Sequence, residues 1–291
     1  MRALVADVCV SEFGWELMEW QGYVRSLARD YKKVVISSTD GFFPIYSDMK
    51  PIYIPHRIRG SRDCHRMRPG SIENRDEVLR VRAEIDETAL RLRRKGYKIH
   101  RIASIPAQKD KAVGMRRPIE QQKFIKYGIA ACVAEPFDMI IHARNRRERY
   151  PSGGANYPLD RWNIVLGELS KHGLTKIAAV GTREAAFAPA GTVDLRGIPL
   201  DKLMDHMAAA KIVIGPSSGP MHLASLCKTP HMVWATSRRQ EVIQRRNRDR
   251  YLSYWNPFKT PVEIVMHAKG QLTDPKDIIN STLRLVDRVY A

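Results

Sequence analysis

The segment from 214 to 226 carries the residues with the clearest chemical potential. Its sequence, IGPSSGPMHLASL, predicts a buried strand, a turn of small residues and a helix that begins at once. Such a turn exposes backbone N–H groups and the hydroxyls of Ser217 and Ser218 where the helix dipole favours an anion. Gly219 allows a ligand to approach the backbone closely. The segment therefore predicts a diphosphate-binding turn, with an ordinary strand–turn–helix connection as the alternative.

Two arginines follow the apolar stretch 137–143. The planar guanidinium groups of Arg144 and Arg146 match phosphate oxygens, so these side chains are candidates to neutralise a leaving nucleoside diphosphate. Solvated surface charge is the alternative, because Arg147 and Arg149 continue the run.

Three further residues are candidates for donor binding. Thr182 and Glu184 follow the apolar stretch 177–180, and an acid after a strand often contacts a ribose. His222 lies at the start of the predicted helix. It is a candidate to contact the donor, and the alternative is a histidine whose hydrogen bonds are satisfied within the helix start.

Glu16 is the candidate catalytic residue. It follows the first apolar stretch within Phe13–Leu17 (FGWEL), which opens a predicted helix. A carboxylate there is suited to deprotonate a hydroxyl as a general base. It is equally suited to cap the helix, since acids favour the first turn. Asp7 and Glu19 are lesser candidates.

The elements that must position these residues alternate between strand and helix, which implies βαβ units and parallel sheets. The pattern restarts near Glu135, so residues 1–135 and 136–291 are predicted as two domains, and the fold class is α/β. The predicted strands are 4–10, 33–38, 51–54, 137–143, 177–180, 192–195, 211–215 and 230–235. The predicted helices are 16–29, 72–95, 162–171 after an N-cap at Asp160, 200–210, 220–227 and 275–289. Residues 124–133 are predicted as an apolar helix or strand, and 56–70 and 106–123 as loops.

The net charge of +18 predicts a polyanionic partner, such as nucleic acid, anionic headgroups or a phosphorylated saccharide. Solubility alone is the alternative. The candidate acceptor-binding residues are Arg238, Arg239, Arg245 and Arg246. Aromatic residues that could stack on an unpaired base lie nearby in the sequence: Trp234, Tyr251, Tyr254 and Trp255. A charged helix face is the other interpretation of this run.

Several classes of protein are disfavoured. The chain has no GxxxxGK[ST] loop, which disfavours a P-loop ATPase. It has no GxGxxG after the first strand, which disfavours a dinucleotide oxidoreductase. No His, Cys and acid cluster has metal-ligand spacing and no DxD occurs, so no metal or cofactor is expected beyond a nucleotide-sugar. No apolar run reaches the roughly 18 residues of a membrane helix. The four cysteines form no CxxC pair, which favours a reducing cytoplasm, and Cys9 and Cys132 are predicted in the core.

The segment 214–226 resembles the signature of glycosyltransferase family 9, the lipopolysaccharide heptosyltransferase family. That family usually reads Gly-Pro-Asp-Ser-Gly-Pro-Met-His-Leu-Ala, and Ser217 stands in place of the Asp. Stretches resembling other family motifs occur in the family's order at 139–144, 160–162, 179–184 and 194–210. The resemblance implies the GT-B fold, two Rossmann-like domains facing across a cleft, with the nucleotide-sugar held by the C-terminal one. It also implies an inverting reaction and places Glu16 at the family's catalytic acid.

Three functions are compatible with the sequence. The sequence slightly favours a glycosyltransferase acting on a hydroxymethylated base in DNA, because of the charge and the arginine-rich insert between 56 and 101. The alternatives are a transferase acting on the lipopolysaccharide core or another cell-surface glycan, and a non-catalytic nucleic-acid-binding protein on the same fold. Ser217 in place of the family's acid is the feature that supports the last.

Overall fold

The chain folds into two compact units, Met1–Phe124 and Ile125–Ala291. The structure is a computed structural model, and each unit contains one parallel β-sheet with flanking helices. The residues that the structure describes are 1–9, 12–58, 75–102, 121–145, 156–236, 248–267 and 272–291. The α/β architecture agrees with the prediction from the alternating sequence pattern.

The division between the units lies eleven residues before the expected one, because residues 125–135 pack on the second unit. The Tyr127 N–H donates to the Leu226 carbonyl at 3.1 Å, and the Ile129 N–H donates to the Asp205 carboxylate at 2.8 Å. The prediction of a helix or strand over 124–133 is wrong. Gly128 has a φ of +75°, and the segment contains only a 3₁₀ turn, Ala130–Cys132.

The first unit has a four-stranded sheet in the order β3-β2-β1-β4. The strands are β1 Arg2–Ala6, β2 Lys33–Thr39, β3 Ile52–His56 and β4 Lys98–Ile102. A helix in three parts follows β1, here called α1: Phe13–Trp15, a π-helical stretch Glu16–Trp20, and Gln21–Ala28. Two 3₁₀ turns, Phe43–Ile45 and Ser47–Met49, connect β2 to β3, and helix α2, Arg75–Arg94, precedes β4.

The sequence predicted an arginine-rich insert between 56 and 101, and the described part of it from 75 onwards belongs to the fold of this unit. Helix α2 buries Val81 and Ile85 in the core, and β4 pairs in parallel with β1. Two of the arginines form ion pairs within the unit: Arg80 pairs with Glu77 and Glu84, and Arg101 pairs with Asp7 and Asp86. The apolar periodicity of α2 was therefore a better guide to its place in the fold than its many charged residues. The predicted loops 56–70 and 106–123 lie mostly outside the described residues.

The second unit has a six-stranded sheet in the order β10-β9-β8-β5-β6-β7. Its strands are β5 Met139–Ile141, β6 Ile177–Ala179, β7 Val193–Asp194, β8 Ile212–Pro216, β9 His231–Thr236 and β10 Val262–His267. Its helices are α3 Leu159–Lys171, α4 Leu200–Ala209, α5 Gly219–Leu226, a π-helix Arg250–Tyr254, and α6 Pro275–Tyr290. Strand β10 was not predicted, and neither was β4.

Two details of the second unit correct the sequence analysis. Helix α3 begins one residue before the expected cap, and Pro158 occupies the N-cap position. Asp160 lies in the first turn, where its negative charge interacts favourably with the helix dipole. Cys132 is exposed in its 3₁₀ turn, whereas Cys9 is buried as predicted. No described helix has the length and apolar character to cross a membrane.

An aromatic cluster forms part of the core of the second unit. Trp162 and Trp234 lie 5.4 Å apart between ring centroids, and Tyr157 contacts both rings. Trp234 is fully buried by this packing. It is therefore a core residue. The suggestion from the sequence that Trp234 could stack on a base is wrong.

Gly128→Ala is expected to destabilise the second unit. A Cβ at this position would lie 2.1 Å from the Met204 carbonyl oxygen, on backbone with a left-handed φ. Gly191→Ala is the matched control, because Gly191 has a φ of +78° and open space around its Cβ position. Overpacking should make the free energy of unfolding of Gly128→Ala lower than that of the control by about 1–3 kcal/mol. Urea denaturation of both variants measures this; equal values would contradict the close approach.

Candidate functional site

The chemically capable residues of the second unit lie at one edge of its sheet. Parallel strands place their carboxyl ends together, and ligands of open α/β sheets bind at that edge. Strands β5, β6 and β8 end there, and the three segments that follow them are 142–145, 180–184 and 217–219.

The turn after β8 connects directly into helix α5. The Ser217 N–H donates to the Trp234 carbonyl at 2.8 Å, which holds the turn against β9. Ser218 is the N-cap residue, with extended backbone, and its carbonyl accepts from the N–H groups of Met221 and His222. Its side chain makes no capping bond, so the hydroxyl is available for another partner.

That partner is His142, at the carboxyl end of β5. Its Nδ1 lies 2.8 Å from the Ser218 hydroxyl oxygen. Two glycines allow the imidazole to sit there: a Cβ on Gly215 would lie 3.1 Å from the His142 Cβ, and a Cβ on Gly181 would lie 3.1 Å from the ring. Gly181 also has a φ of +130°, which side chains rarely adopt. Glycine at positions 181 and 215 thus leaves the space that the histidine–serine pair needs.

A second hydroxyl pair fixes the other serine of the turn. Tyr251, from the π-helix, donates a hydrogen bond to the Ser217 hydroxyl oxygen at 2.7 Å. Its ring stacks on His222 at 5.4 Å and meets Trp255 edge-on at 4.9 Å. His222 also contacts Trp255 at 4.7 Å. His222 is therefore 7 % exposed and held among aromatic rings at the first turn of α5.

The remaining predicted donor residues lie at the ends of β5 and β6. Arg144 is partly buried and forms an antiparallel bridge with Ala186, which ties the two segments together. The Thr182 hydroxyl oxygen is buried without a hydrogen-bond partner among the described residues. Glu184 is exposed. Arg146 lies outside the described residues.

In the first unit, Glu16 is enclosed at the π-helical stretch of α1. Its side chain is 0 % exposed. The Ser38 hydroxyl donates to its Oε1, and the Tyr46 hydroxyl donates to the same oxygen at 2.7 Å. Its Oε2 has no hydrogen-bond partner among the described residues. These contacts tie the carboxyl group to neighbouring elements, while Glu16 also lies in the first turn of the π-helical stretch.

A buried arginine connects helix α1 to the residues on either side of Tyr46. Arg25, on the last part of α1, forms two hydrogen bonds with the Asp48 carboxylate, both at 2.9 Å. It also donates to the Ile45 carbonyl at 2.7 Å and to the Gln21 side chain. This arginine therefore joins helix α1 to the 3₁₀ turns that flank Tyr46.

Burial raises the pKa of Glu16 to about 7 from 4.5, against the opposing effect of hydrogen bonds from Ser38 and Tyr46. A carboxyl group with a pKa near the working pH is suited to take up a proton. The lesser candidates have different surroundings. Asp7 forms an ion pair with Arg101 at 2.6 Å, whereas Glu19 is buried on the same π-helical stretch as Glu16.

The candidate acceptor-binding residues lie outside the described part of the chain: Arg238, Arg239, Arg245 and Arg246. Within the described part, no group of three or more His, Cys, Asp or Glu residues is arranged to hold a metal ion.

Sequence reasoning missed four side chains that contact the candidate residues: Ser38, Tyr46, His142 and Tyr251. His142 carried a signal, since it lies two residues before Arg144 at the end of an apolar stretch. Tyr251 was noted as a base-stacking aromatic, but it is fully buried against the turn. Ser38 and Tyr46 gave no signal, because only the parallel sheet and the Arg25 contacts bring them to Glu16.

Comparison with solved structures gives matches along essentially the whole chain. The structure of E. coli ADP-heptose lps heptosyltransferase II matches with a TM-score of 0.63 at 15% identity, covering 100% of both chains. The glycosyl transferase family 9 protein from Veillonella parvula DSM 2008 matches with a TM-score of 0.58 at 10% identity, covering 99% of this chain and 98% of that one. E. coli heptosyltransferase WaaC with ADP-2-deoxy-2-fluoro heptose has a TM-score of 0.54 at 14% identity, with coverage of 99% and 100%.

No protein-family model and no curated protein sequence matches the chain. The structural matches are under a sixth identical, and they establish the fold. The chain has the GT-B fold that heptosyltransferases and family 9 glycosyltransferases share, as the resemblance of its motifs predicted.

Proposed function

We propose that this protein is a glycosyltransferase that moves a sugar from a nucleotide-sugar to an acceptor hydroxyl. The observation that carries the proposal is the turn at Ser217 and Ser218, whose two hydroxyls are held by Tyr251 and His142 at the carboxyl edge of a parallel sheet. This is the edge where α/β folds bind nucleotides. One structure with the same fold contains a heptosyltransferase with ADP-2-deoxy-2-fluoro heptose.

On the donor side, the diphosphate would lie at the turn before α5. Hydroxyl donors and the positive end of the helix dipole favour an anion there. Arg144 and Arg146 would supply the positive charge that balances the leaving diphosphate, without a metal ion. Thr182 and Glu184 follow the adjacent strand β6 and would contact the nucleoside, with the unpartnered Thr182 hydroxyl offering a hydrogen bond.

For chemistry, the acceptor hydroxyl oxygen would attack the anomeric carbon while the bond from that carbon to the diphosphate oxygen breaks. The hydroxyl proton would move to the Oε2 atom of Glu16, which has no other partner among the described residues. A single direct displacement inverts the configuration at the anomeric carbon. The charge that develops on the diphosphate would be stabilised by Arg144 and the serine turn.

For the acceptor, we propose a phosphorylated glycan of the lipopolysaccharide-core type. A net charge of +18 suits an anionic saccharide. The solved structures of the same fold include an lps heptosyltransferase. The preference for DNA is weaker than the sequence suggested, because residues 75–102 contribute a helix and a strand to the fold and Tyr251 is buried.

The test is acceptor-dependent release of nucleoside diphosphate. ADP-, UDP- and GDP-sugars would be supplied with lipopolysaccharide core, the same core after dephosphorylation, hydroxymethylated DNA or unmodified DNA. We expect release with phosphorylated core and at least tenfold less with the dephosphorylated core, since each lost charge contact costs about 1.5–3 kcal/mol. Release only with hydroxymethylated DNA would transfer the proposal to DNA modification. Absence of any nucleotide binding would favour the non-catalytic protein.

A further inference from the structure

Tyr251 makes a contact that the proposed reaction does not yet use. It comes from the π-helix Arg250–Tyr254, 34 residues after Ser217, and its hydroxyl group reaches the first serine of the turn at 2.7 Å. The side chain is fully buried by His222 and Trp255. A buried aromatic ring fixed on two sides holds its hydroxyl group in one place.

The hydrogen bond between the two hydroxyl groups has Tyr251 as its donor and Ser217 as its acceptor. Burial raises the pKa of Tyr251 far above neutrality, so the phenol keeps its proton, and it also forms a hydrogen bond with the Ser218 backbone. The phenol donates its proton to the Ser217 oxygen. A serine hydroxyl carries one proton and two acceptor lone pairs, and Tyr251 then occupies one of the two lone pairs.

The proton of Ser217 is therefore left to point away from Tyr251. No described residue accepts a hydrogen bond from this hydroxyl, and the Ser217 side chain is partly exposed at the end of β8. The Ser217 N–H is already bonded to the Trp234 carbonyl. The Ser217 hydroxyl can therefore donate to a ligand, in the directions that the hydrogen bond from Tyr251 leaves to its proton.

We propose that Tyr251 is a positioning residue that orients the Ser217 hydroxyl to donate a hydrogen bond to a diphosphate oxygen of the donor. This inference rests on the proposed function and deepens its donor side. Because the hydroxyl acts on the diphosphate, the effect of Tyr251 is the same for every nucleoside diphosphate that the protein binds. Removing the phenol oxygen leaves Ser217 free to rotate, and the oriented donor is lost.

The experiment is a double-mutant cycle on nucleotide affinity. ADP, UDP, GDP and inorganic pyrophosphate are titrated calorimetrically into the wild type, Tyr251→Phe, Ser217→Ala and the double variant. A hydrogen bond to a charged group corresponds to about a 10- to 100-fold change in Kd. We expect a loss in this range for each single variant and no further loss in the double variant. Ser217→Thr, which keeps a hydroxyl, should recover most of the affinity.

Tyr290→Phe is the matched control. It removes a tyrosine hydrogen bond of similar length, 2.8 Å to the Lys211 carbonyl, at the opposite edge of the same sheet. Its Kd should equal that of the wild type. A Tyr251→Phe variant that folds and binds as tightly as the wild type overturns the inference while leaving the proposed function intact. Losses that add fully in the double variant also overturn it, because the two residues would then act separately. A wild type that binds none of the four probes overturns both proposals.

Discussion

Glu16→Gln is expected to lower kcat by at least about 100-fold, because a positioned general base contributes a factor of this size or more. The amide keeps the shape of the side chain and can still accept hydrogen bonds from Ser38 and Tyr46, but it cannot take up a proton. The Kd for the nucleotide-sugar should stay close to that of the wild type, since the donor residues belong to the other unit. Steady-state kinetics and calorimetry on the same preparations measure the two effects.

Asp7→Asn provides the comparison for this experiment. Asp7 also follows strand β1, but its carboxylate pairs with Arg101. Its kcat should stay near the wild-type value. The wild type should also show kcat/KM rising with pH through about 7, the raised pKa of Glu16, because only the ionised carboxylate accepts a proton. Full activity of Glu16→Gln would make this carboxyl group structural and remove it from the mechanism.

The stability of the protein is expected to fall as the pH rises through the range set by the same carboxyl group. Burial raises the pKa of Glu16 to about 7 from 4.5, so between these values the folded state holds a proton that the unfolded state has lost. Stability therefore decreases with pH in this window. The shift corresponds to a loss of about 3 kcal/mol that is complete above the folded-state pKa.

Comparison of the wild type with Glu16→Gln isolates this effect, because other titrating groups are common to both proteins. The difference in the free energy of unfolding, wild type minus variant, should be constant below pH 4.5 and fall by about 3 kcal/mol by pH 8. Urea denaturation at a series of pH values measures it. A difference that does not change with pH would show that Glu16 has an ordinary pKa, and would weaken its assignment as the base.

The sequence determined the architecture of most of this protein by itself. Alternating apolar strands and amphipathic helices predicted β2, α4, α6 and most other elements to within a few residues, because hydrophobic periodicity reflects which face of an element is buried. The turn at Ser217–Gly219 was likewise predicted between a strand and a helix. Small residues between an apolar run and a helix start leave few other local structures.

The misses have physical causes that are visible in particular elements. Strand β4 has a polar edge position, with an exposed Arg101 and His100, so its sequence lacks the apolar run of a central strand. Strand β10 lies at the edge of the second sheet and is only partly buried. The segment 125–135 is apolar because it packs on helices of the second unit, without forming an element of its own.

What the tertiary structure decided is the set of partners around each candidate residue. Ser217 and Tyr251 are 34 residues apart, Ser218 and His142 are 76 apart, and Glu16 and Tyr46 are 30 apart. Spacing along the chain carries no information about such pairs, because they form only when strand ends of a parallel sheet and buried side chains come together. The sequence named the residues that could do chemistry, and the fold determined which hydroxyl, imidazole or phenol group lies against each of them.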